Sequence, residues 1–128
     1  MDQKHEAKAM PIPDMIVVVA NQIRFRRQVI EQRMWYPIRL DDNRRGALRW
    51  IAICNTSPVH AITHLARMLS IKPYRNSGKY QINFMEPNQL INPIRLTSEY
   101  VPGLAGHRYS WVQRLFEAKL ISDLKPWG

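Results

Sequence analysis

The chain carries several short apolar runs, and the first of them has no polar interruption. Met15 to Ala20 reads MIVVVA, which is rich in β-branched residues. Such a run is typical of a strand that is buried on both faces of a sheet. Two later stretches, ALRWIAICN and KYQINFM, alternate apolar and polar residues and therefore predict strands. In the second stretch Tyr80, Ile82 and Phe84 share one face.

Two stretches at opposite ends of the chain show a helical period. After Asn21, a suitable N-cap residue, Ile23, Val29 and Ile30 fit one apolar stripe. Toward the C-terminus a 3.6-residue period joins Trp111, Val112, Leu115, Phe116, Lys119 and Leu120. We predict an amphipathic helix in each stretch, the second within RYSWVQRLFEAKLISDL.

The region from Ser57 to Ile71 has two interpretations. Ser57 and Pro58 resemble an N-cap and a first helical position. The apolar stripe of that helix would consist of Val59, Ile62, Leu65 and Leu69. The alternative is a turn over Ser57–Ala61 followed by a strand over Ile62–Ile71. Propensity alone slightly favours the helix.

The remaining elements are a strand, a turn and a final strand. WYPIRL, which contains a proline, predicts an edge strand, and DDNRRG predicts a turn. A last strand is expected over Pro93–Leu96, and the loop TSEYVPGLAGH follows it. With about five or six strands and two helices, the pattern predicts an α+β fold, a small mixed β-barrel or half-barrel flanked by helices. At 128 residues the chain has room for one domain. We assign residues 1–13 to a flexible leader and residues 14–128 to that domain.

The net charge changes this picture of an ordinary small domain. Lysine and arginine exceed aspartate and glutamate by 19 − 10 = 9, and thirteen of the nineteen cations are arginines. A guanidinium offers a planar fork of donors that fits phosphate and stacks on aromatic rings. A small basic domain of this kind is expected to bind DNA or RNA. The alternative partner is an acidic protein.

The composition also bears on compartment. A single cysteine excludes an internal disulfide, and no segment approaches the roughly 20 apolar residues of a membrane span. The opening MDQKHEAKAMPIP lacks the apolar core of a signal peptide. We therefore expect a soluble cytoplasmic protein with no membrane partner.

The segment CNTSPVHAITH contains residue types that bind metals, but its spacing is unfavourable. A zinc site needs three or four ligands that converge on one point. In a strand, His60 and His64 share a face but lie about 13 Å apart. We expect no metal and no cofactor, with Cys54 in the core, His60 in a loop, and His64 bonded to neighbouring backbone or lining a groove.

Catalytic residues are not predicted, because the acids are few and scattered. Four of the ten, Asp41, Asp42, Glu86 and Glu99, lie in predicted turns or loops, where a solvated carboxylate needs no catalytic role. No glycine-rich phosphate loop, nucleophile elbow or HExxH motif occurs. A small enzyme that acts on nucleotides or RNA through Cys54 or His64 stands as the alternative hypothesis.

Arginine and aromatic residues alternate in three segments, RMWYPIR, RRGALRW and KPYRNSGKY. Nucleic-acid-binding proteins use this mixture, since cations contact phosphates and aromatic faces stack on bases. Trp35 and Tyr36 point to opposite sides of any strand, so one of them should be accessible. Trp50 alternates with Ala52 and Cys54, which favours a core position for its ring.

The order of the strand motifs resembles the PUA-like superfamily, in particular its EVE and ASCH-type members. The matching motifs, which fall between Met15 and Leu124, are Ile62–His64–Ala66, Lys79–Tyr80–Ile82–Phe84, Pro93–Ile94–Leu96, and Arg108–Tyr109 opening a terminal helix. The resemblance implies a small β-barrel that grips RNA or DNA. In EVE-type members a flipped, often modified, base enters an aromatic-lined pocket. The resemblance also implies that Ile62–Ile71 is a strand, and we adopt that interpretation.

The chain departs from the ASCH motif G-x-K-x-x-E-x-R. If Arg39 is the final arginine, Gln32, Met34 and Pro37 stand where Gly, Lys and Glu would be. The resemblance therefore favours binding over an ASCH-type catalytic role. The predicted stacking residues are Trp35, Tyr36 and Trp50, and the predicted base-edge contacts are Asn55 and His64. The predicted phosphate contacts are Arg39, Arg44, Arg45, Arg49, Lys72 and Arg75.

Overall fold

Seven strands form one mixed sheet in the computed structural model, which describes residues 11–56, 58–97, 106–125 and 127–128. They are β1 (Met15–Ala20), β2 (Met34–Ile38), β3 (Trp50–Asn55), β4 (Ala61–Tyr74), β5 (Lys79–Phe84), β6 (Asn88–Arg95) and β7 (Arg108–Ser110). Their order is β2-β5-β4-β3-β1-β7, and β6 pairs with β4 beside this path. The β1–β3 pair is parallel, and the other described pairs are antiparallel.

Strand β1 lies in the middle of the core, as its continuous apolar run predicts. Ile16 and Val18 belong to one buried cluster, which we call the inner core. Met15 and Val17 point to the opposite face and belong to a second cluster, the outer core. Each residue of β1 except Val19 is buried, so both faces of the strand are covered.

Strand β4 joins the two halves of the sheet. Its first half, up to Arg67, pairs with β3 and β6, and its second half, from Met68, pairs with β5. The register shifts within the β6 pairing and again near Ser70 in the β5 pairing, and such irregularities bend a strand. The strand interpretation of this region is confirmed and the helix interpretation is wrong, while Ser57 lies outside the described residues.

The sheet curls, because its two end strands contribute to the same cluster. Trp35 and Ile38 of β2 and Tyr109 of β7 all pack in the inner core. The Asp41 amide donates a hydrogen bond of 3.2 Å to the Tyr109 hydroxyl across this gap. No described strand pair joins β2 to β7, so the sheet is open. The mixed α+β class is confirmed, and a closed barrel is not what these strand pairs form.

The N-terminal helix lies where the pattern predicts it but turns differently. A short α-helix, α1 (Gln22–Arg24), continues as a π-helix over Phe25–Gln32. Of the predicted stripe only Val29 is buried, whereas Ile23 and Ile30 are exposed. A π-helix bonds residue i to i+5, so a stripe spaced for an α-helix does not stay on one side.

The C-terminal helix is broken, contrary to the prediction. Earlier in the chain, a short helix, α2 (Asp42–Arg45), occupies the predicted DDNRRG turn. At the C-terminal end, helix α3 (Val112–Leu115) stops after one turn. A 3-10 helix follows over Ile121–Leu124. After α3 the chain turns at Phe116 and Glu117, and Leu120 then pairs with Arg95, whose amide donates a hydrogen bond of 3.3 Å to the Lys119 carbonyl. Pairing with β6 thus replaces the predicted helical turns, and the Arg108–Tyr109 motif lies in β7 instead of opening a helix.

The segment before β1 packs on the domain where it is described. Residues 1–10 of the predicted leader lie outside the described residues. Pro13 is buried, and the Pro11 carbonyl accepts a hydrogen bond of 2.8 Å from the Trp111 indole. Within the described ranges no helix is long and apolar enough to span a bilayer.

Candidate nucleic-acid interface

A cavity of about 280 Å³ opens between the two ends of the curled sheet. Strand β1 supplies its apolar base, and β2 with the residue that follows it supplies one wall. The N-terminal helix, the start of β5 and the segment before β7 complete it. Its lining residues are Val18, Val19, Arg24, Trp35, Pro37, Ile38, Arg39, Lys79, Gly106 and His107. Residues far apart in sequence therefore meet here because the sheet curls.

The polar lining of this cavity is cationic. Arg24, Arg39 and Lys79 carry full positive charges, His107 adds an imidazole, and none of the described lining residues is acidic. Among the interactions of the described residues, neither the Arg39 nor the Lys79 side chain has a hydrogen bond or an ion pair. Unpaired cations around a concave surface concentrate positive potential and attract anions.

Arg24 covers the Trp35 ring, which forms one wall of the cavity. Its guanidinium carbon lies 3.7 Å from the centroid of the Trp35 ring, a cation–π arrangement. It also donates to the Tyr36 carbonyl at 2.8 Å and to the Gln28 side-chain oxygen at 3.2 Å. The N-terminal helix positions this arginine, since Asn21 caps the Arg24 amide as predicted. Burial lowers the pKa of Arg24, but a guanidinium stays charged at neutral pH.

The predicted stacking role of Trp35 needs correction. Its side chain is 3% exposed, and Arg24 covers one face of the ring. A base therefore has no open Trp35 face to stack on in this arrangement, and the ring serves as a wall. The accessible partner is Tyr36, which fulfils the prediction that one of the two rings points outward.

A second aromatic surface lies on the outer side of β2. The Tyr36 and Tyr74 rings stack with centroids 5.3 Å apart and planes 18° apart. The Arg75 guanidinium lies 5.0 Å from the Tyr74 ring, beside a recess of about 330 Å³. The Tyr36 hydroxyl donates to the Gln32 side chain at 2.8 Å, which holds the ring in place. We call Tyr36, Tyr74 and Arg75 the tyrosine shelf.

Other predicted phosphate contacts already have partners within the chain. Arg45 forms an ion pair of 2.8 Å with Asp42 and lies 4.6 Å from the Tyr80 ring. Arg49 donates to the carbonyls of Gly46 and Leu48 at 2.9 and 2.8 Å. Both arginines line a separate recess of about 380 Å³. Arg45 and Arg49 still add positive charge to the surface, but their N–H donors are already hydrogen-bonded within the chain.

Three further predicted residues lie outside these recesses. Arg44 is half-buried next to α2's end, and Lys72 is exposed on β4 opposite Gln81. Trp50 packs against the outer core and has the Arg67 guanidinium 5.2 Å from its ring. That position supports the core interpretation of Trp50 over a stacking role.

The two predicted base-edge residues are linked to each other. Asn55 donates a hydrogen bond of 2.6 Å to the Thr63 hydroxyl, which lies 2.7 Å from Nδ1 of His64. The His64 ring packs against Phe25 with centroids 4.9 Å apart. Burial lowers the pKa of His64. This network ties β3, β4 and the π-helix together and does not line the cavity or the tyrosine shelf.

The structure does not place Cys54 and His64 together. Cys54 is buried in the outer core, where desolvation raises the pKa of its thiol to about 12. His64 pairs across the strands with Ile53, which faces the inner core. A thiol kept protonated on the opposite face of the sheet is a poor nucleophile. As predicted, Cys54 is a core residue and His60 lies outside the strands. Within the described ranges no three His, Cys, Asp or Glu residues are grouped to hold a metal ion.

Four polar or aromatic residues of these two surfaces, Arg24, Tyr74, Lys79 and His107, are not among the predicted contacts. Tyr74 and Lys79 lie in the basic and aromatic segment KPYRNSGKY, so their composition was a usable signal. Arg24 follows the helix cap by three residues, which hints at its fixed position. His107 carries no local signal, because only the curl of the sheet brings it to the cavity.

Comparison with known proteins assigns no family. No family model, no curated protein and no solved structure matches this chain.

Proposed function

We propose that this protein binds single-stranded DNA or RNA, with one nucleotide entering the cavity between β1 and β2. The observation that carries the proposal is the cavity's lining, which contains Arg24, Arg39 and Lys79 and no acidic residue, although Asp41 lies close enough to act on His107. Cationic grooves track the phosphate backbone of single strands in proteins of this class.

The tyrosine shelf supplies the second half of the proposal. It lies on the other side of β2 from the cavity, so one strand of nucleic acid that crosses β2 contacts both. Because Tyr36 stacks on Tyr74 and Arg75 lies over the Tyr74 ring, a base would stack there by displacing Arg75, and a stacked base contributes about 1–3 kcal/mol. Stacking on tyrosine is tolerant of base identity, so a preference for one base, including a modified one, would have to arise in the cavity.

We also propose the finer fold that the motif order suggests, a PUA-like domain whose curled sheet forms a half-barrel that is open between β2 and β7. The curl of the sheet around the inner core supports this assignment. A cytoplasmic location fits the same proposal, and the free, buried thiol of Cys54 supports it.

Binding of labelled oligonucleotides to purified protein tests the proposal. Matched single- and double-stranded DNA and RNA, with and without base methylation, would be titrated across a salt series. We expect a preference for single strands and affinity that falls steeply with salt. Affinity that is absent at all salt concentrations would overturn the proposal.

Two variants locate the interface, and one serves as the control. We expect the double variant Arg39→Ala/Lys79→Ala to weaken binding by at least tenfold, because charge-assisted contacts are worth about 1.5–3 kcal/mol each. Tyr74→Ala should weaken it by a similar factor through lost stacking. Lys119→Ala removes an exposed cation near the C-terminus and should change affinity less than twofold. Equal losses in all three variants would indicate a general basic binder without this interface.

A further inference from the structure

We propose that the cavity receives the terminal phosphomonoester of a nucleic-acid strand, an inference that rests on the proposed function. The ligand class is a strand end that carries a phosphate, at either the 5′ or the 3′ terminus. An internal phosphodiester would bind elsewhere along the basic surface.

The shape of the cavity is the first argument. Its base is the apolar pair Val18 and Val19, its wall is Trp35, and Arg24 lies against that wall. Its volume is about 280 Å³. Since groups from the N-terminal helix, β2, β5 and the segment before β7 surround the cavity, a terminal group can occupy it without the strand having to leave on a second side.

The charge of the cavity is the second argument. A phosphomonoester carries about −1.5 to −2 charges at neutral pH and has three acceptor oxygens. An internal phosphodiester linkage carries a single negative charge. Three cations line the cavity against one nearby carboxylate, Asp41 beside His107, and this excess of positive charge matches the more highly charged group. Arg39 and Lys79 are the two whose side chains have no partner among the described residues, so their donors are available to it.

Arg24 and His107 would contribute to phosphate binding in different ways. Arg24 is held by Tyr36 and Gln28, so it offers a fixed charge beside Trp35 rather than a mobile donor. His107, whose ring makes an edge-on contact with Tyr109 at 5.3 Å, adds an N–H donor on the opposite side. The terminal phosphate would thus sit among groups from the N-terminal helix, β2, β5 and the segment before β7.

Internally labelled oligonucleotides of one sequence test the inference. One carries a 5′-phosphate, one a 3′-phosphate, and one hydroxyls at both ends. We expect one of the phosphorylated forms to bind at least tenfold more tightly than the hydroxyl form. The form that does so identifies the terminus, and the matching nucleoside monophosphate should compete for the same site.

Variants separate the cavity from the rest of the surface. Lys79→Ala and Arg39→Ala should reduce the preference for the phosphorylated form to within about twofold, and Lys79→Arg should retain most of it. Arg75→Ala on the tyrosine shelf is the matched control, because it should weaken all three oligonucleotides equally and leave the ratio unchanged. Thermal unfolding of each variant checks that the fold is retained.

The outcomes distinguish this inference from the proposed function. Equal affinity for all three oligonucleotides, with binding retained, overturns the terminal-phosphate inference and leaves single-strand binding in place. A preference that survives both Lys79→Ala and Arg39→Ala also overturns it, since the phosphate then binds outside the cavity. Absence of binding to every oligonucleotide overturns both.

Discussion

The cationic cavity at β1 and β2 contrasts with an apolar groove on the opposite side of the sheet. The groove lies between β6 and α3 and has a volume of about 790 Å³, against about 280 Å³ for the cavity. Ile91 and Phe116 border it with 95% and 70% of their surfaces exposed. Its charged lining residues, Glu117 and Lys119, cancel each other. The smaller recess thus holds the charge that can select a ligand, and volume alone does not identify a site.

The two recesses also arise from different structural events. The cavity forms because the ends of one sheet curl toward a shared core, so its residues are held by buried neighbours such as Ile38. The groove forms because the C-terminal helix stops at Leu115 and the chain extends toward Arg95. Substitutions should therefore disturb the fold at the buried cavity wall and leave it largely intact at the exposed groove residues Ile91 and Phe116.

The largest expected effect is on stability. Trp35→Ala should lower the free energy of unfolding by about 3–5 kcal/mol, because it empties a buried aromatic site and removes the surface under Arg24. Phe116→Ala, the matched aromatic substitution in the groove, should change it by less than about 0.5 kcal/mol. Urea denaturation measures both. Similar losses in the two variants would contradict the contrast.

A smaller loss is expected at the support of the cavity wall. The Gln28 side-chain oxygen accepts a hydrogen bond of 3.1 Å from the Tyr36 amide, so Gln28→Ala should cost about 1–3 kcal/mol and speed hydrogen exchange at Tyr36. Gln89→Ala, an exposed glutamine in the groove, is the control and should leave exchange at Tyr36 unchanged. Unaltered exchange in Gln28→Ala would show that this bond does not protect the strand.

The electrostatic contrast predicts a change in salt dependence. Lys79→Ala should reduce the slope of log affinity against log salt by about 1, because one phosphate contact is lost. Lys119→Ala in the groove should leave the slope unchanged. Anisotropy titrations between low and physiological salt measure it. Equal slopes for wild type and Lys79→Ala would remove Lys79 from the interface.

The smallest expected effect is on the pH dependence of the free energy of unfolding. Burial lowers the pKa values of His107 in the cavity and His64 in the Asn55 network below the ordinary value of 6.5. Each histidine is thus easier to protonate in the unfolded chain. Its contribution to stability is complete above about pH 6.5 and is lost as the pH falls through the folded-state pKa. NMR titration of both imidazoles, paired with denaturation at pH 7.5 and 5.5, tests this, and a midpoint above 6.5 for either ring would contradict it.

Most strands could be predicted because their pattern matches their burial. The continuous run in β1 is covered on both faces, and in β5 Ile82 and Phe84 are buried while Tyr80 packs at the edge of the inner core. The helices were predicted less well because tertiary contacts override an apolar period. Leu120 fits a helical stripe, yet its backbone bridges to Arg95 and is extended.

The site was only partly predictable for a related reason. Tyr36 and Arg39 could be named from the alternation of arginine and aromatic residues, and the structure puts Tyr36 on the shelf and Arg39 in the cavity. Trp35 could not be assigned to the wall, because nothing local indicates that Arg24 lies over it. His107 reaches the cavity through the curl of the sheet, and that curl depends on long-range packing.

The bonds around Tyr36 have a consequence for how the protein behaves at high concentration. Strand β2 ends the sheet, and an unprotected end strand is a template for pairing with other molecules. Here the Tyr36 amide donates a hydrogen bond to the Gln28 side chain, and the Tyr36 carbonyl accepts one from Arg24. Pro37 has no amide hydrogen to donate. The side chains at the cavity wall therefore also occupy the backbone groups at Tyr36 through which β2 could pair with a neighbouring chain.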